Sequence, residues 1–373
     1  MGPLSVVLLV ESVTGSYVHA GSAAGVFAIT TALASPLLGR LIDRIGQTWV
    51  LISCGNVFAA AFATLALTAK YGVDMMLVLS CVAVAGLANP LLAPAMRTLW
   101  SDKLNGRTLQ TAYALESTMQ EVIFITGPLL VALLVTTISP AAAVLAAAGL
   151  AFVGTASFAT SPSSRAWRGQ PRAGDWAGPL RDRGIRTLVA VMVLLAVAFG
   201  LLQVAIAAFA ADNGAPGAAG VLLATWTSGS LVGGLVAGGR QWAAPVERRY
   251  VGLLLLLAGA FALLLLPGTN LQMGTLIVLA GLPIAPWLSC TYLLVDRLTP
   301  VGTVTEAFTW VLTGFLSGQS VGASLAGILV DARGPRMALL AAAASLTLAA
   351  AVAAMRWTTF ARPEGAGLDH ERG

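Results

Sequence analysis

Charge is scarce in this chain. Only 10% of its 373 residues are Asp, Glu, Lys or Arg, against roughly a quarter in soluble domains. A soluble fold of this size needs a charged shell, so an ordinary soluble enzyme and an intrinsically disordered chain are both excluded. Histidine is scarcer still: His19 and His370 are the only two. Neither falls in an apolar run, so any buried proton relay must use carboxylates, and no His/Cys zinc spacing exists. The three cysteines, Cys54, Cys81 and Cys290, stand isolated in apolar stretches. That excludes a disulfide framework and leaves small core residues. A phosphate-cradling Gly-rich loop with a Lys is missing, as is a nucleophile elbow. No cofactor and no catalysis are expected. The longest polar segment, residues 161–186, is too short for an ATPase domain.

What the chain has is hydrocarbon: 57% of its residues are hydrophobic. A bilayer core about 30 Å thick needs about 20 mostly apolar residues per spanning helix. Twelve such runs can be read, at 3–18, 21–38, 49–68, 75–95, 110–134, 140–160, 187–210, 216–238, 250–267, 272–294, 304–327 and 338–356. They are Leu/Ala-rich and lack the strict alternation of barrel strands, so the expected fold is an all-α polytopic membrane protein. The first run is short, contains Glu11 and lacks a basic lead-in. These features argue against a cleaved signal peptide and for a first helix that is truncated at its start.

Loop charges test the span count independently. With both termini cytoplasmic, 18 of the 21 Lys and Arg fall in inner loops or the C-terminal tail, and only Lys70, Arg333 and Arg336 fall outside. This is the bias the positive-inside rule requires. The net charge of +5 is therefore a topology signal, and no aromatic-interleaved basic stripe points to nucleic acid. One connection is long, residues 161–186, rich in Pro, Gly, Ser and Arg, with six spans before it and six after. The expected organisation is an N-terminal half over 1–160, a flexible cytoplasmic linker over 161–186, a C-terminal half over 187–357 and a tail over 358–373. Such two-fold layouts are typical of secondary transporters, whose site lies between repeats near the midplane. The linker arginines are also suited to anionic lipid heads.

Between spans two and three lies Gly39-Arg40-Leu41-Ile42-Asp43-Arg44-Ile45-Gly46-Gln47-Thr48. Gly39 and Gly46 allow tight turns at two helix ends. Asp43 can accept hydrogen bonds from a neighbouring helix N-terminus. Arg44 can pair with a carboxylate or a lipid phosphate. The stretch resembles the G-x-L-x-D-R-x-G-R/K signature of the major facilitator superfamily, with Gln47-Thr48 in place of the basic end. A second copy near Gly238-Gly239-Arg240 is degenerate, and a similar string, Gly327 to Gly334, follows span eleven. Span five carries Gly127-Pro128, a partial match to a family antiporter motif. The resemblance implies twelve transmembrane helices in two six-helix halves and alternating access. It also implies that spans two, five, eight and eleven meet between the halves. Small-residue faces in those spans (Gly21 and Gly25; Gly229, Gly233, Gly234 and Gly238; Gly318 and Gly322) suit close helix approach.

Charged groups inside hydrocarbon are costly and usually functional. Three carboxylates qualify as proton-coupling candidates: Glu11 in span one, and Glu116 and Glu121 in span five. Glu121 lies roughly 18 Å from the helix start, near the midplane, and Glu116 nearer the cytoplasmic face, about 140° round the helix from it. Burial favours the protonated form of a carboxylate, so such a group can load and release a proton. The alternative is a structural ion pair, with Arg97 as the charge partner of Glu116. Cavity-lining candidates are Asn89, Gln120, Gln203, Trp226, Trp287, Trp310 and Gln319, the tryptophans suited to stacking on an aromatic or cationic substrate. Packing between helices is the plainer role for each.

Together these features predict a secondary active transporter of a small molecule, working as a monomer in the plasma membrane. Its partners are the substrate, protons and the lipid bilayer, with no nucleic acid. Proton-coupled efflux is the leading expectation. The alternatives are an uptake permease for a sugar or other metabolite, or a non-transporting receptor on the same scaffold.

Overall fold

The computed structural model describes residues 1–71, 74–169, 178–215, 217–240, 242–300 and 302–360. Among these every regular element is helical. The helices are α1 (Gly2–Thr14), α2 (Tyr17–Ile45), α3 (Gln47–Tyr71), α4 (Met75–Leu87), α5 (Leu92–Lys103), α6 (Gly106–Thr137), α7 (Pro140–Ala159) and the short α8 (Pro162–Ala166). After them come α9 (Arg183–Asp212), α10 (Ala218–Gly238), α11 (Val246–Leu263), α12 (Asn270–Gly281), α13 (Ile284–Leu298), α14 (Val304–Arg333) and α15 (Pro335–Met355). Two 3-10 turns lie at Gly178–Arg181 and Trp357–Phe360.

Local chemistry explains where helices begin and stop. Ser16, Asp74, Ser139, Asp182 and Thr269 each cap a helix through a side-chain oxygen that accepts a first-turn N–H, which meets donors that would otherwise be orphaned. Two spans are interrupted. Asn89-Pro90 separates α4 from α5, and Pro283 separates α12 from α13, because proline cannot donate to the helix ladder. Counting each interrupted pair once, ten of the described helical stretches are long and apolar enough to cross a membrane. The 13-residue α1 is apolar but shorter, and the 18-residue α11 completes twelve, with Glu247, Arg248 and Arg249 in its first turn.

Several expected boundaries move. His19 lies inside α2, not in a loop, because the Ser16 cap starts that helix at Tyr17. The motif stretch is helical through Ile45, and only Gly46, with φ +94°, makes the turn. Gly39 is therefore a helix residue and not a turn. The linker is shorter than read, since α8 and α9 take residues from both of its ends. Residues 170–177 and 361–373, which include Arg172, Arg362, His370 and Arg372, lie outside the described residues.

The chain forms two compact units. Unit one comprises Met1–Leu104, Val122–Trp176 and Val301–Leu316; unit two comprises Asn105–Glu121, Ala177–Pro300 and Ser317–Gly373. The first part of α14 thus belongs with α1–α5, and the first part of α6 belongs with α9–α13. In unit one, Val6, Leu9 and Val10 of α1 are buried against a cluster that includes Phe27, Phe58 and Phe62. The Phe58 and Phe62 rings are stacked at 4.3 Å, with Phe27 edge-on to both. In unit two, α15 packs along α9 and α11, and α10 along α12. Large apolar side chains such as Leu37, Trp49, Met76 and Leu271 face outward, as suits a surface solvated by lipid.

Two of the three glycine faces pack inside a unit. Gly21 and Gly25 meet no neighbour among the described residues, whereas Gly318 and Gly322 press on the backbone of α9. Gly229 and Gly233 press on Val278 and Leu282; a Cβ on Gly233 would sit 1.8 Å from the Leu282 carbonyl oxygen.

Candidate functional site

In unit one the end of α2 meets the start of α14. Residues 39, 40 and 43 share one helix face through their i, i+3 and i, i+4 spacing. Asp43 is 3% exposed. Its carboxylate accepts the backbone N–H of Thr305 at 3.2 Å and of Glu306 at 2.8 Å. These are first-turn donors of α14, where free N–H groups and the helix dipole both favour a negative charge. One turn back, Arg40 donates through Nε and Nη2 to the two carboxylate oxygens of Glu306, at 3.2 and 2.5 Å. Two parallel charge-assisted bonds fix the orientation of the pair. Thr98 and Thr305 share a hydroxyl bond of 2.9 Å, and the Arg97 guanidinium stands 5.4 Å from the centre of the Phe308 ring. A Cβ on Gly39 would lie 2.7 Å from Thr309 Oγ1 and 3.1 Å from the Glu306 Cα. Glycine is there to let α14 approach.

Unit two holds a different arrangement, at the middle of its helices. The first part of α6 runs beside α10 in register. Ala114 faces Gly238, Thr118 faces Gly234, and Glu121 lies beside Ser230. Glu121 is 5% exposed and pairs with no Lys or Arg among the described residues. One turn from Ser230, Trp226 packs edge-on against Phe199 of α9, ring centres 4.9 Å apart. Gln120 accepts a hydrogen bond from the Tyr292 hydroxyl at 2.9 Å, and Tyr292 packs edge-on to Tyr113.

The other candidates are spread more widely. Glu116 is buried on α6. Glu11 and Trp310 are half-buried in unit one, and Asn89 sits at the α4–α5 break. Gln203 and Gln319 are half-buried in unit two. Trp287 stacks on Tyr250 at 5.3 Å, in a cluster with different neighbours from those of Trp226. Arg44 is exposed. Cys54, Cys81 and Cys290 are free and buried, and no group of three metal-ligating side chains lies among the described residues.

The count of three intra-span carboxylates needs correction. Glu306 is inside α14 and 2% exposed. It falls within the 304–327 run, at its start, and the Thr305-Glu306 pair there is a signal for a helix end that needs a partner. Arg40 reads as a topology charge because it lies just beyond the 21–38 run. Ser230 carries no sequence signal of its own.

The Major Facilitator Superfamily family model matches residues 1–300. The chain belongs to this superfamily. It is thus a multi-pass membrane transporter of small molecules with the twelve-helix superfamily fold. Solved structures agree on the fold. A bacterial homologue of the iron transporter ferroportin in an outward-facing state is 14% identical, with TM-score 0.77, over 96% of this chain and 94% of that one. The human organic anion transporter MFSD10 (TETRAN) is 16% identical, with TM-score 0.72, over 94% and 89%. A point variant of the E. coli fucose:proton symporter FucP is 11% identical, with TM-score 0.72, over 95% and 96%. No curated protein sequence matches the chain.

Proposed function

We propose that this protein exports a small molecule across the plasma membrane by proton-coupled alternating access, with both termini in the cytoplasm. The observation that carries the reading is Glu121, a carboxylate at mid-helix, buried and without a basic partner among the described residues. A carboxylate in such a place sheds its charge by taking a proton or a cation. Alternating access turns that exchange into coupling, because the group meets one side of the membrane at a time. In this reading the segments 1–160 and 187–357 are the rocking halves and the linker gives them freedom.

The α2–α14 junction supplies the second part of the mechanism. It lies at the end that the Lys and Arg distribution assigns to the cytoplasm. Asp43, Arg40 and Glu306 then act as a latch that holds this end of α14 against α2 and must release when the site opens inward. A two-state element of this kind is what a carrier needs to keep one gate shut while the other is open. Proton coupling is also the named property of the fucose:proton symporter that shares the fold.

The test is Glu121→Gln in proteoliposomes with an imposed proton gradient. Proton-driven flux is expected to disappear while the protein stays folded and exchange without a gradient continues. Unchanged coupling would remove Glu121 from the mechanism. Absence of counterflow for every compound in a broad panel would remove transport itself.

A further inference from the structure

The connection between α10 and α11, in unit two, gathers positive charge that the fold does not neutralise. The degenerate second copy of the loop motif, Gly238-Gly239-Arg240, begins it, and Arg248 and Arg249 end it. In the first copy Arg40 is matched by Glu306. Arg240 has no such counterpart. No carboxylate pairs with Arg240, Arg248 or Arg249 among the described residues, and the one acid in the connection, Glu247, is taken by Arg297. Trp242 draws two of the arginines together. The Arg240 guanidinium stands 5.5 Å from its ring centre, and that of Arg249 5.1 Å. The indole is itself held in place by its N–H, which donates to the Ala237 carbonyl oxygen at 3.0 Å.

Attraction to the ring favours each contact, but it crowds two like charges on one indole with no anion beside them. Inside the fold Arg249 meets only the Cys290 thiol of α13, a weak partner, and its Nε has none. Arg240 and Arg248 are exposed, and Trp242 is 39% exposed. Positive-inside sorting explains why arginines lie at this end of the helices. It does not explain their convergence on a half-open indole. An anion with several acceptor oxygens completes the group, because the guanidinium fork matches it. The surroundings select its source. Val232, Leu235 and Val236 point outward on one face of α10, and Arg240 follows four residues after Val236. On α11, Leu255 and Leu256 are exposed about two turns beyond the exposed Arg248. A free phosphate makes no use of these apolar strips. A phospholipid covers them with its chains while its phosphate meets the arginines, and tryptophan suits the same headgroup level.

We propose that Arg240, Arg248, Arg249 and Trp242 form a binding site for an anionic phospholipid at this end of unit two. The inference is independent of the transported substrate and its direction; it takes from the proposed function only the cytoplasmic placement of this end. The headgroup phosphate accepts from Arg240 and Arg249, and Arg248 adds charge beside it. Basic clusters at the cytoplasmic leaflet gain from its anionic lipids. A zwitterionic lipid brings its own ammonium to the same arginines and is disfavoured. Because Arg249 also reaches Cys290, an occupied site ties the α10–α11 connection to α13.

The experiment uses the purified full-length protein in detergent, with bound lipid read by native mass spectrometry. The probes are dioleoylphosphatidylglycerol, dioleoylphosphatidylcholine and, as a soluble source of the same phosphate group, glycerol 3-phosphate. Saturable phosphatidylglycerol binding is expected, with the other two probes weaker by about tenfold or more. Arg240→Gln is expected to weaken phosphatidylglycerol by about fivefold, and Arg240→Gln combined with Arg249→Gln by about tenfold or more. Trp242→Ala is expected to weaken it by about threefold, because the arginines lose the ring that gathers them. Arg165→Gln combined with Arg168→Gln removes the same two charges from the linker and is expected to leave this binding unchanged. Arg240 and Trp242 are exposed, so their single variants serve even where Arg249→Gln fails to fold. Equal retention of phosphatidylcholine, or glycerol 3-phosphate bound as tightly as the lipid, would overturn the lipid site. So would parental binding in Arg240→Gln and Trp242→Ala, or an equal loss in the linker variant, which is the mark of bulk charge alone.

Discussion

Replacing Asp43 by alanine should release the start of α14 from α2. The carboxylate accepts two backbone N–H groups, from Thr305 and Glu306, and is almost fully buried. A hydrogen bond to a charged group contributes about 1.5–3 kcal/mol. Two of them sum to about 3–6 kcal/mol, and the lower end is the better figure, because the freed N–H groups gain water when α14 undocks. About 3 kcal/mol is a factor of about one hundred or more in the docked-to-undocked ratio. Removing the Arg40–Glu306 pair should do less. Arg40 is 26% exposed, and a partly solvated ion pair contributes about 1 kcal/mol or less, so Glu306→Gln should shift the ratio by about fivefold or less. The assay is the rate of maleimide labelling at Thr98→Cys in membranes. Thr98 is 5% exposed and bonded to Thr305, so its cysteine reacts only when the junction opens. The three natural cysteines are all buried and set the baseline. Labelling that rises about a hundredfold in Asp43→Ala and only a few-fold in Glu306→Gln fits the account. Equal labelling in the parent and in Asp43→Ala, or a larger effect from Glu306→Gln, would refute it.

Other consequences follow from packing and charge. Gly233→Ala puts a Cβ 1.8 Å from the Leu282 carbonyl oxygen, so α10 and α12 must part, at a cost of about 3 kcal/mol or more; an unaltered melting temperature of the purified protein would contradict the close approach. Gly21→Ala, by contrast, meets nothing within 4 Å and should leave the melting temperature unchanged or slightly raised. The Arg297–Glu247 pair in unit two has an arginine side chain 44% exposed, so Glu247→Gln should cost about 1 kcal/mol or less, checked by denaturant titration against the parent. A single cysteine at Arg183 should resist an impermeant maleimide in intact cells while one at Arg336 reacts, and the reverse pattern would invert the topology.

How much was legible beforehand differs between the elements. The apolar runs behind α2, α3, α7, α10 and α15 are local features, and a scan of about 20 residues finds them because the bilayer imposes one length on every span. Their ends were less legible. The α2 helix continues through Asp43 because nothing before Gly46 forces a left-handed turn, and the Asn89-Pro90 and Pro283 breaks lie inside runs that stay apolar across them. In the candidate sites, Glu121 was visible because a carboxylate stands out in hydrocarbon. Glu306, at the start of the 304–327 run, was not singled out, because its partner Arg40 lies 266 residues away in the chain.

The sequence alone therefore determined the class of the protein: hydropathy fixes spans and basic residues sort by loop, and both are properties of short windows. Only the tertiary structure decided which groups meet. The N–H of Glu306 reaches Asp43 across 263 residues of chain, and Gly39 proved to be a place where two helices touch instead of a turn. Thr118 proved to face Gly234 only when α6 was seen to run beside α10. Side-chain pairings of this kind are set by helix packing between distant segments, and hydropathy, which averages over neighbours in sequence, carries no information about them.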